Sequence, residues 1–284
     1  MSCDHNCDSC QENDTCQDKP VDEQDQNINA FLAQVKHKLV VMSGKGGVGK
    51  STVAANLAVT LSEQGYSVGL LDVDLHGPSI AGILGLIGLP LNAIGNKMLP
   101  FQYSENLQVM TVQGLLTDPD AALIWRGPLK ISVIKQFLAD TQWEPLDFLI
   151  IDCPPGTGDE PLTIVQTITD AQAIVVTTPQ EVALADVRKS LNFCEQAHVA
   201  VLGIVENMSG FVCPNCQTVH NIFKAGGGEK LAADRKLTFL GKLPIDPQVV
   251  AGDDAGTPLE NLSPITKAAL ASLVANVLQA LNKK

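Results

Sequence analysis

One short stretch near the N-terminal end limits, more than any other, what this chain can fold into. Residues 40–52 read Val-Val-Met-Ser-Gly-Lys-Gly-Gly-Val-Gly-Lys-Ser-Thr, with Gly44, Gly49, Lys50 and Ser51 at the fixed positions of a phosphate-binding loop. An apolar run precedes this loop and an apolar stripe of helical period follows it. Glycines let backbone N–H groups curl around phosphate oxygens, and the following helix adds the positive end of its dipole. The stretch therefore predicts a strand, a nucleotide-binding loop and a helix.

The residues of this loop have separate predicted roles. Lys50 is placed to reach the β- and γ-phosphates, and the Ser51 hydroxyl is placed to bind Mg²⁺. Lys45 directly follows the first glycine, and as a second cation it would compensate charge that develops during phosphoryl transfer. The residues that we expect to bind nucleotide are Gly44, Lys45, Gly46, Gly47, Val48, Gly49, Lys50, Ser51 and Thr52.

The extra lysine makes this loop resemble the deviant loop of the MinD/ParA/nitrogenase-iron-protein class of dimeric ATPases. In that class the lysine reaches across a dimer interface to the partner's nucleotide. The resemblance implies a P-loop NTPase fold like that of MinD and the nitrogenase iron protein, and a homodimeric, Mg²⁺-dependent and slow ATPase with ATP as the nucleotide. The alternative interpretation of Lys45 is a solvated surface lysine.

Three aspartates at the ends of predicted strands extend the same site. Asp72 and Asp74 end the apolar run that starts at residue 68, and Asp152 ends the run 148–152 in a Walker B pattern. The carboxyl ends of parallel strands are where α/β sheets bind ligands. We predict that Asp74 orients the attacking water and that Asp72 and Asp152 hold Mg²⁺ through its water shell. Lys45, Lys50 and Asp74 are thus the predicted catalytic residues, although two turn-forming aspartates remain the alternative for 72 and 74.

Apolar runs of strand length alternate with helical patterns along most of the chain. The predicted buried strands lie at residues 39–42, 68–73, 107–112, 148–152, 173–178, 199–205 and 238–243. The predicted helices include residues 121–139, 184–195 and 264–281. This alternation predicts an α/β fold, a mostly parallel seven- to eight-stranded sheet with helices on both faces.

The first twenty residues differ in composition from the rest of the chain. They carry Cys3, Cys7, Cys10 and Cys16 among acidic and polar residues. Thiols in a segment with so few apolar residues are not there for packing, so we predict a flexible, Cys-rich tail that binds an iron–sulfur cluster or zinc. Residues 21–36 are assigned to a linker that includes a short amphipathic helix, and residues 37–284 to one nucleotide-binding domain.

Charge and composition argue against several classes of function. The net charge of −12 disfavours a nucleic-acid partner. No apolar run reaches the ~18 residues that a bilayer span needs, so no membrane partner is expected. The acidic, polar start does not resemble a signal peptide. We therefore expect a cytoplasmic protein whose eight cysteines are thiols available to metals.

A further cysteine pair, Cys213-Pro214-Asn215-Cys216, follows the sixth predicted strand. Alone, this spacing fits a redox pair, half of a zinc site or half of an iron–sulfur cluster site. A site within one chain needs four ligands, and only these two cysteines and His220 are at hand. Two chains related by a twofold axis would supply four thiolates to one shared site.

The order and combination of these motifs resemble the Mrp/ApbC family of iron–sulfur cluster carrier ATPases over residues 36–282. The segments that carry the resemblance are 44–52, 72–79, 125–128, 152–156, 206–208 and 213–216.

The resemblance implies a homodimer that binds a [4Fe–4S] cluster between the two Cys213 and Cys216 pairs. ATP binding and hydrolysis would gate the dimer while the cluster passes from a cluster donor to apoproteins. The resemblance also implies that Asn207 contacts the adenine and that Pro244 and Asp246 border the base. The spacing of the N-terminal cysteines is similar to the cluster motif of the related eukaryotic scaffolds.

Three other functions are compatible with parts of the pattern. A positioning or partition ATPase would use the same dimer switch on a membrane or on DNA, but it leaves most of the cysteines unexplained. An ATP-driven reductase like the nitrogenase iron protein would keep its cluster, and that class uses two well-separated cysteines per chain. A non-enzymatic, zinc-stabilised scaffold would use nucleotide only to order the dimer.

Overall fold

The computed structural model describes residues 23–75, 77–116, 125, 127–216 and 218–283. The predicted metal-binding tail, with Cys3, Cys7, Cys10 and Cys16, lies outside the described residues. The first residues of the predicted helix 121–139 also lie outside them, and within them this helix begins at Gly127.

Helices and strands alternate along the described chain. The helices are α1 (Glu23–Leu32), α2 (Lys50–Glu63), α3 (Ile80–Ile83), α4 (Gly127–Ala139), α5 (Asp159–Thr167), α6 (Glu181–Gln196), α7 (Gly227–Asp234), α8 (Pro247–Ala255) and α9 (Pro264–Asn282). The strands are β1 (His37–Ser43), β2 (Val68–Asp72), β3 (Ala93–Ile94), β4 (Lys97–Met98), β5 (Phe101–Ser104), β6 (Leu107–Thr111), β7 (Phe148–Asp152), β8 (Gln172–Thr177), β9 (Ala200–Glu206), β10 (Phe211–Val212), β11 (Val219–His220) and β12 (Phe239–Lys242).

The described strands build one eight-stranded sheet in the order β12-β9-β8-β1-β7-β2-β6-β5. Every neighbouring pair in it is parallel except β5 with β6. The predicted α/β fold with a mostly parallel sheet is confirmed. Because parallel strands end at the same edge, Asp152 is the register partner of both Val41 and Asp72. The sheet thus places the loop after β1 beside the two acids.

Alternate residues of β1 show that both faces of the sheet are buried. Leu39 and Val41 belong to the core under α2 and α9, whereas Val40 and Met42 belong to the opposite core with α1 and α4. A strand covered on both faces needs apolar residues at every position. This is why the strands appear in the sequence as continuous apolar runs and not as alternating ones.

Helix α1 lies in the part of the chain that the sequence assigned to a linker with a short amphipathic helix, and it is packed more closely than a linker would be. Its residues Ile28 and Leu32 are buried, and Phe31 stacks on Trp143 with ring centroids 5.7 Å apart. Residues 23–36 therefore pack as part of the domain. The amphipathic pattern was visible in the sequence, but the surface that covers it comes from α4, about a hundred residues later.

From the sequence we expect no apolar stretch long enough to span a bilayer, but among the described residues helix α9 has the length and composition to cross a membrane. Its residues Leu270, Leu273, Val274 and Val277 are buried in the core that contains α2. That buried stripe is the ordinary pattern of a core helix.

Several short elements have no counterpart in the predictions. Strand β5 adds an antiparallel edge to the sheet, and β3 with β4 and β10 with β11 form two-stranded hairpins. Strands of two residues are too short to show any periodicity. The second hairpin matters most, because it carries the Cys213 and Cys216 pair.

Candidate functional site

The phosphate-binding loop lies between β1 and α2, in the predicted order of strand, loop and helix. Gly47 and Gly49 have positive φ angles of 75° and 76°, which side-chain-bearing residues rarely adopt. A Cβ on Gly49 would also collide with the Asn207 amide, and one on Gly44 with the Asp186 backbone. These glycines are therefore required by the close approach of neighbouring elements as well as by the turn.

Lys50 lies buried at the centre of the site. Its Nζ is 2.6 Å from Asp152 Oδ1, 3.9 Å from Asp74 Oδ2 and 3.3 Å from Ser51 Oγ. Burial acts to lower the pKa of Lys50, but the carboxylate of Asp152 and its neighbours outweigh burial and raise it. The lysine is therefore a permanent cation, held by acids at the place where phosphates would enter.

The two strand-end acids are fully buried beside this lysine. Burial raises the pKa of Asp72 well above its usual value, and the nearby Asp152 raises it further. Asp72 accepts hydrogen bonds from Asp74 N at 3.0 Å and from Thr111 Oγ1 at 3.3 Å. Burial also raises the pKa of Asp152, against the opposing effect of Lys50. An added positive charge here would stabilise both carboxylates.

Asp152 offers a specific observation in favour of a divalent cation. Its Oδ2 is buried and has no hydrogen-bond partner among the described residues. Buried carboxylate oxygens normally have a partner, so an orphaned one indicates a missing ion or water. With the Ser51 hydroxyl and Asp72 it forms a set of hard oxygen ligands, which Mg²⁺ prefers. The residues present therefore fit the predicted metal.

A cleft of ≈ 210 Å³ brings the predicted catalytic residues together. It is lined by loop residues including Lys45 and Lys50, and by Asp74, Ser79 and Pro155. The turn that contains Pro155 stays near the loop because Gly156 N donates to Ser43 O at 2.9 Å. Segments after β1, β2 and β7 thus converge on one cleft.

The residues expected around the base lie near the loop but have structural contacts of their own. Asn207 Nδ2 donates to Val48 O at 2.9 Å. Asp246 caps α8 and accepts from Thr266 Oγ1 at 2.6 Å and from Ser263 N at 3.1 Å. Burial acts to raise the pKa of Asp246, but hydrogen bonds from Ser263 and Thr266 hold it below its usual value. Pro244 is half-buried two residues before this cap.

Asp253, in α8, is a neighbour of the loop that sequence reasoning missed. Thr52 Oγ1 donates to its Oδ2 at 3.2 Å, and its buried Oδ1 has no hydrogen-bond partner among the described residues. Burial raises the pKa of Asp253 to about 6, and Asp254 adds to the rise. No sequence pattern near residue 253 predicts this contact, because Asp253 and Thr52 come together only in the folded chain.

We expect Asp253→Asn to stabilise the protein at pH 7. When the pKa of a carboxyl group is higher in the folded state than in the unfolded state, the folded state binds more protons. The stability of the protein therefore falls as the pH rises from about 4 to 6. The amide removes that loss, and because the side chain is partly exposed we expect a gain of about 1 kcal/mol in the free energy of unfolding. Urea unfolding at pH 7 and pH 4 measures the gain, which should disappear at pH 4.

The exposed neighbour Asp254→Asn is the matched control, with an expected change at pH 7 below about 0.5 kcal/mol. Equal effects of the two substitutions, or an Asp253→Asn gain that persists at pH 4, would contradict the assignment to Asp253.

The Cys213 and Cys216 pair lies in the turn between β10 and β11. Cys213 is half-buried and its N–H donates to Thr218 O at 3.0 Å, while Cys216 is exposed with its Sγ 3.3 Å from Thr218 Oγ1. Hydrogen bonding with Thr218 lowers the pKa of the Cys216 thiol. A thiol that ionises more readily is a better metal ligand. Within the described residues no group of three or more His, Cys, Asp or Glu side chains could hold a metal, so this pair has no further ligand beside it there.

The other two described cysteines are buried and unsuited to chemistry. Burial raises the pKa of Cys194 to about 11 and raises that of Cys153 further still. Cys194 Sγ packs 3.9 Å from Met42 Sδ. Buried thiols of this kind act as small apolar side chains.

The parallel sheet, the glycine-rich loop before α2, the buried lysine and the strand-end acids define a class of protein. They are the features of a P-loop nucleoside triphosphatase. Residues 34–281 match the model of a protein family that is described as "ParA: NUBPL iron-transfer P-loop NTPase". The chain belongs to this family, and the predicted relation to iron–sulfur cluster carrier ATPases is confirmed.

Relatives and solved structures agree with this assignment. The iron-sulfur cluster carrier protein of Methanocaldococcus jannaschii is 46% identical over 260 residues, 90% of each chain. The cytosolic Fe-S cluster assembly factor Nubp2 homolog of Anopheles gambiae is 52% identical over 232 residues, 80% of this chain and 89% of that protein.

A nucleotide-binding protein of Archaeoglobus fulgidus, solved in complex with ADP, has a TM-score of 0.74 and 40% identity, over 83% of this chain and 93% of that one. The cell division ATPase MinD of Pyrococcus furiosus has a TM-score of 0.63 and 25% identity, over 86% and 99%. The predicted MinD-like fold is thus confirmed.

Proposed function

We propose that this protein is a cytoplasmic, ATP-dependent iron–sulfur cluster carrier that works as a homodimer. Its cargo is a [4Fe–4S] cluster, which it receives from a cluster donor and transfers to apoproteins. The observation that carries the proposal is the Cys213 and Cys216 pair, on a hairpin whose first strand begins four residues after Asn207, which contacts the phosphate-binding loop. A nucleotide switch and a pair of cluster ligands are therefore joined within one short segment.

The homodimer follows from ligand arithmetic. A [4Fe–4S] cluster needs four thiolates, and the hairpin supplies two per chain. Around the cysteines, Val219, Ile222 and Phe223 are 44%, 58% and 41% exposed. An apolar surface beside exposed thiols suits an interface. A twofold axis through it would place two cysteine pairs around one shared cluster.

The nucleotide site supports hydrolysis of ATP. Lys50 would leave Asp152 and Asp74 to bind the β- and γ-phosphates, and Asp74 would then orient the attacking water. Ser51, with Asp72 and Asp152 through water, would hold Mg²⁺, which neutralises charge on the phosphates. Lys45 forms no ion pair with a carboxylate among the described residues, so its ammonium is available to a partner's nucleotide across the dimer axis.

The same fold serves positioning ATPases such as MinD, but the Cys213 and Cys216 hairpin favours the carrier. We expect no binding to membrane or nucleic acid, in keeping with the net charge of −12. Co-sedimentation with liposomes or DNA in the presence of ATP distinguishes the two functions. ATP-dependent sedimentation with either one would favour the positioning function.

The decisive experiment measures the iron and sulfide that are bound at the hairpin, without a contribution from the N-terminal cysteines. In a full-length variant with Cys3, Cys7, Cys10 and Cys16 changed to serine, anaerobic reconstitution should yield about four iron and four sulfide per dimer. Iron, sulfide and zinc analysis of the gel-filtered dimer measures this yield. Zinc in place of iron, or a metal-loaded monomer, would contradict the proposal.

A further inference from the structure

Glu206, the last residue of β9, is a buried acid that the nucleotide site does not use. Its side chain is fully buried, and a buried carboxylate is costly unless hydrogen bonds satisfy it. Oε1 accepts from Ser209 Oγ at 2.6 Å and from Gly226 N at 2.8 Å, and Oε2 accepts from Gly228 N at 2.5 Å. Hydrogen bonds to an ionised group are the strong ones. This carboxylate therefore holds three donors firmly.

The three donors come from the two ends of one segment. We call residues 207–228 the Cys segment, since it leaves the sheet after Glu206, carries Cys213 and Cys216, and returns to the start of α7. Ser209 lies at its outgoing end, and Gly226 and Gly228 begin α7 at its returning end. A single carboxylate thus joins the two ends of the segment that presents the cysteines.

The glycines at the start of α7 are explained by this carboxylate. Gly226, the N-cap residue, has φ 83° and no side chain to cap the helix, so Glu206 takes that role from a distance. A Cβ on Gly228 would lie 3.1 Å from the Glu206 Cβ. The glycines let the helix start come close enough for both of its N–H groups to reach the acid.

The outgoing end of the Cys segment is also tied to the nucleotide site. Asn207, next to Glu206, donates to Val48 O in the phosphate-binding loop. Farther along, Ser209 N donates to Leu243 O and Val212 N to Ile245 O, each at 2.9 Å. The path from loop to cysteines therefore runs through hydrogen-bonded backbone, with the Glu206 carboxylate at its base.

We propose that Glu206 is a positioning residue that clamps both ends of the Cys segment, so that a nucleotide-dependent shift at Asn207 reaches Cys213 and Cys216. The inference deepens the proposed function and rests on it. With the clamp in place the two ends move together. Without it, the returning end relaxes independently and the thiols no longer follow the nucleotide.

Glu206→Gln tests the clamp with almost no change of shape. If the Gln carbonyl takes the position of Oε1, its NH₂ group faces Gly228 N–H, which then has no acceptor. If the amide is turned around, the NH₂ group faces Gly226 N–H instead. In either orientation one backbone donor at the returning end is left without a partner.

The experiment follows alkylation of Cys213 and Cys216 by iodoacetamide in the full-length, cluster-free protein, resolved by peptide mass spectrometry. Rates are compared with and without Mg²⁺ and a non-hydrolysable ATP analogue. For wild type we expect a change of about fivefold or more on nucleotide binding. For Glu206→Gln the change should fall below about twofold, although nucleotide affinity stays within about threefold of wild type.

Two further variants serve as a control and as a second test of the clamp. Glu195→Gln, on the exposed side of α6, is the matched control and should respond as wild type does. Ser209→Ala removes only the hydrogen bond from Ser209 to Glu206 and leaves the bonds from Gly226 and Gly228. It should therefore fold, and it should lose about half of the nucleotide-dependent change in alkylation rate. Should Glu206→Gln fail to fold, Ser209→Ala decides.

The clamp is overturned if wild-type alkylation ignores nucleotide, or if Glu206→Gln and Ser209→Ala respond as wild type does. Because alkylation needs no cluster, a protein that responds but takes up no iron at the hairpin would retain the clamp and lose the carrier function.

Discussion

Replacing Lys50 with alanine is expected to lower the rate of ATP hydrolysis by about 10³-fold. Lys50 is the buried cation of the cleft, and its Nζ lies within 4 Å of both Asp152 and Asp74. Without Lys50, no buried lysine at this position stabilises the negative charge that develops on the phosphoryl group during transfer. The measurement is phosphate release by the purified protein at saturating Mg²⁺-ATP.

The same substitution should leave the cysteine hairpin intact, so cluster loading in vitro should match that of wild type. Lys189→Ala, at a lysine whose side chain is 76% exposed, is the control and should keep full turnover. Removal of Lys50 also leaves Asp152 buried without its cation, so a thermal melt must accompany the assay. A folded Lys50→Ala protein that retains more than about a tenth of the wild-type rate would exclude Lys50 from catalysis.

Replacing Cys213 with alanine should abolish the bridging cluster. In the background that lacks the four N-terminal cysteines, iron and sulfide should fall from about four each per dimer to below about one. A dimer of this variant offers only two thiolates to the shared site, and both belong to Cys216, which is exposed to solvent. The brown absorbance after anaerobic reconstitution gives the measurement.

Nucleotide binding by Cys213→Ala should be unchanged, because none of the hairpin residues that the structure describes lines the cleft beside the phosphate-binding loop. Cys194→Ala is the matched control, since it removes a fully buried thiol and should keep the full cluster. If the double variant at Cys213 and Cys216 still binds one cluster per dimer as well as wild type does, the bridging site is wrong.

Much of the fold and of the nucleotide site was predictable because its signals are local. The loop around Gly44, Gly49 and Lys50 is contiguous, and the positive φ angles at Gly47 and Gly49 belong to the local turn, although the neighbours that crowd Gly44 and Gly49 come from distant parts of the chain. The acids Asp72 and Asp152 end strands that are buried on both faces, and such strands appear as uninterrupted apolar runs. In a parallel sheet, strand ends meet at one edge, so their convergence could be predicted without a structure.

The features that escaped prediction depend on residues far apart in the chain. Asp253 meets Thr52 across two hundred positions, and α1 finds its covering surface on α4. Glu206 was visible only as part of a family motif, and its three donors became apparent in the fold. The proposed role of the N-terminal cysteines stays a prediction.

The sequence by itself determined the class of fold and the position of the nucleotide loop, and it singled out the candidate metal-binding thiols, because each depends on spacing within a short stretch. The tertiary structure alone decided how these parts are connected. It showed an orphaned Asp152 oxygen beside Lys50, and a Glu206 carboxylate that joins the two ends of the segment carrying Cys213 and Cys216. Such contacts form between elements that only the packed sheet brings together, and hydrogen bonds of this kind leave no periodic mark along the chain.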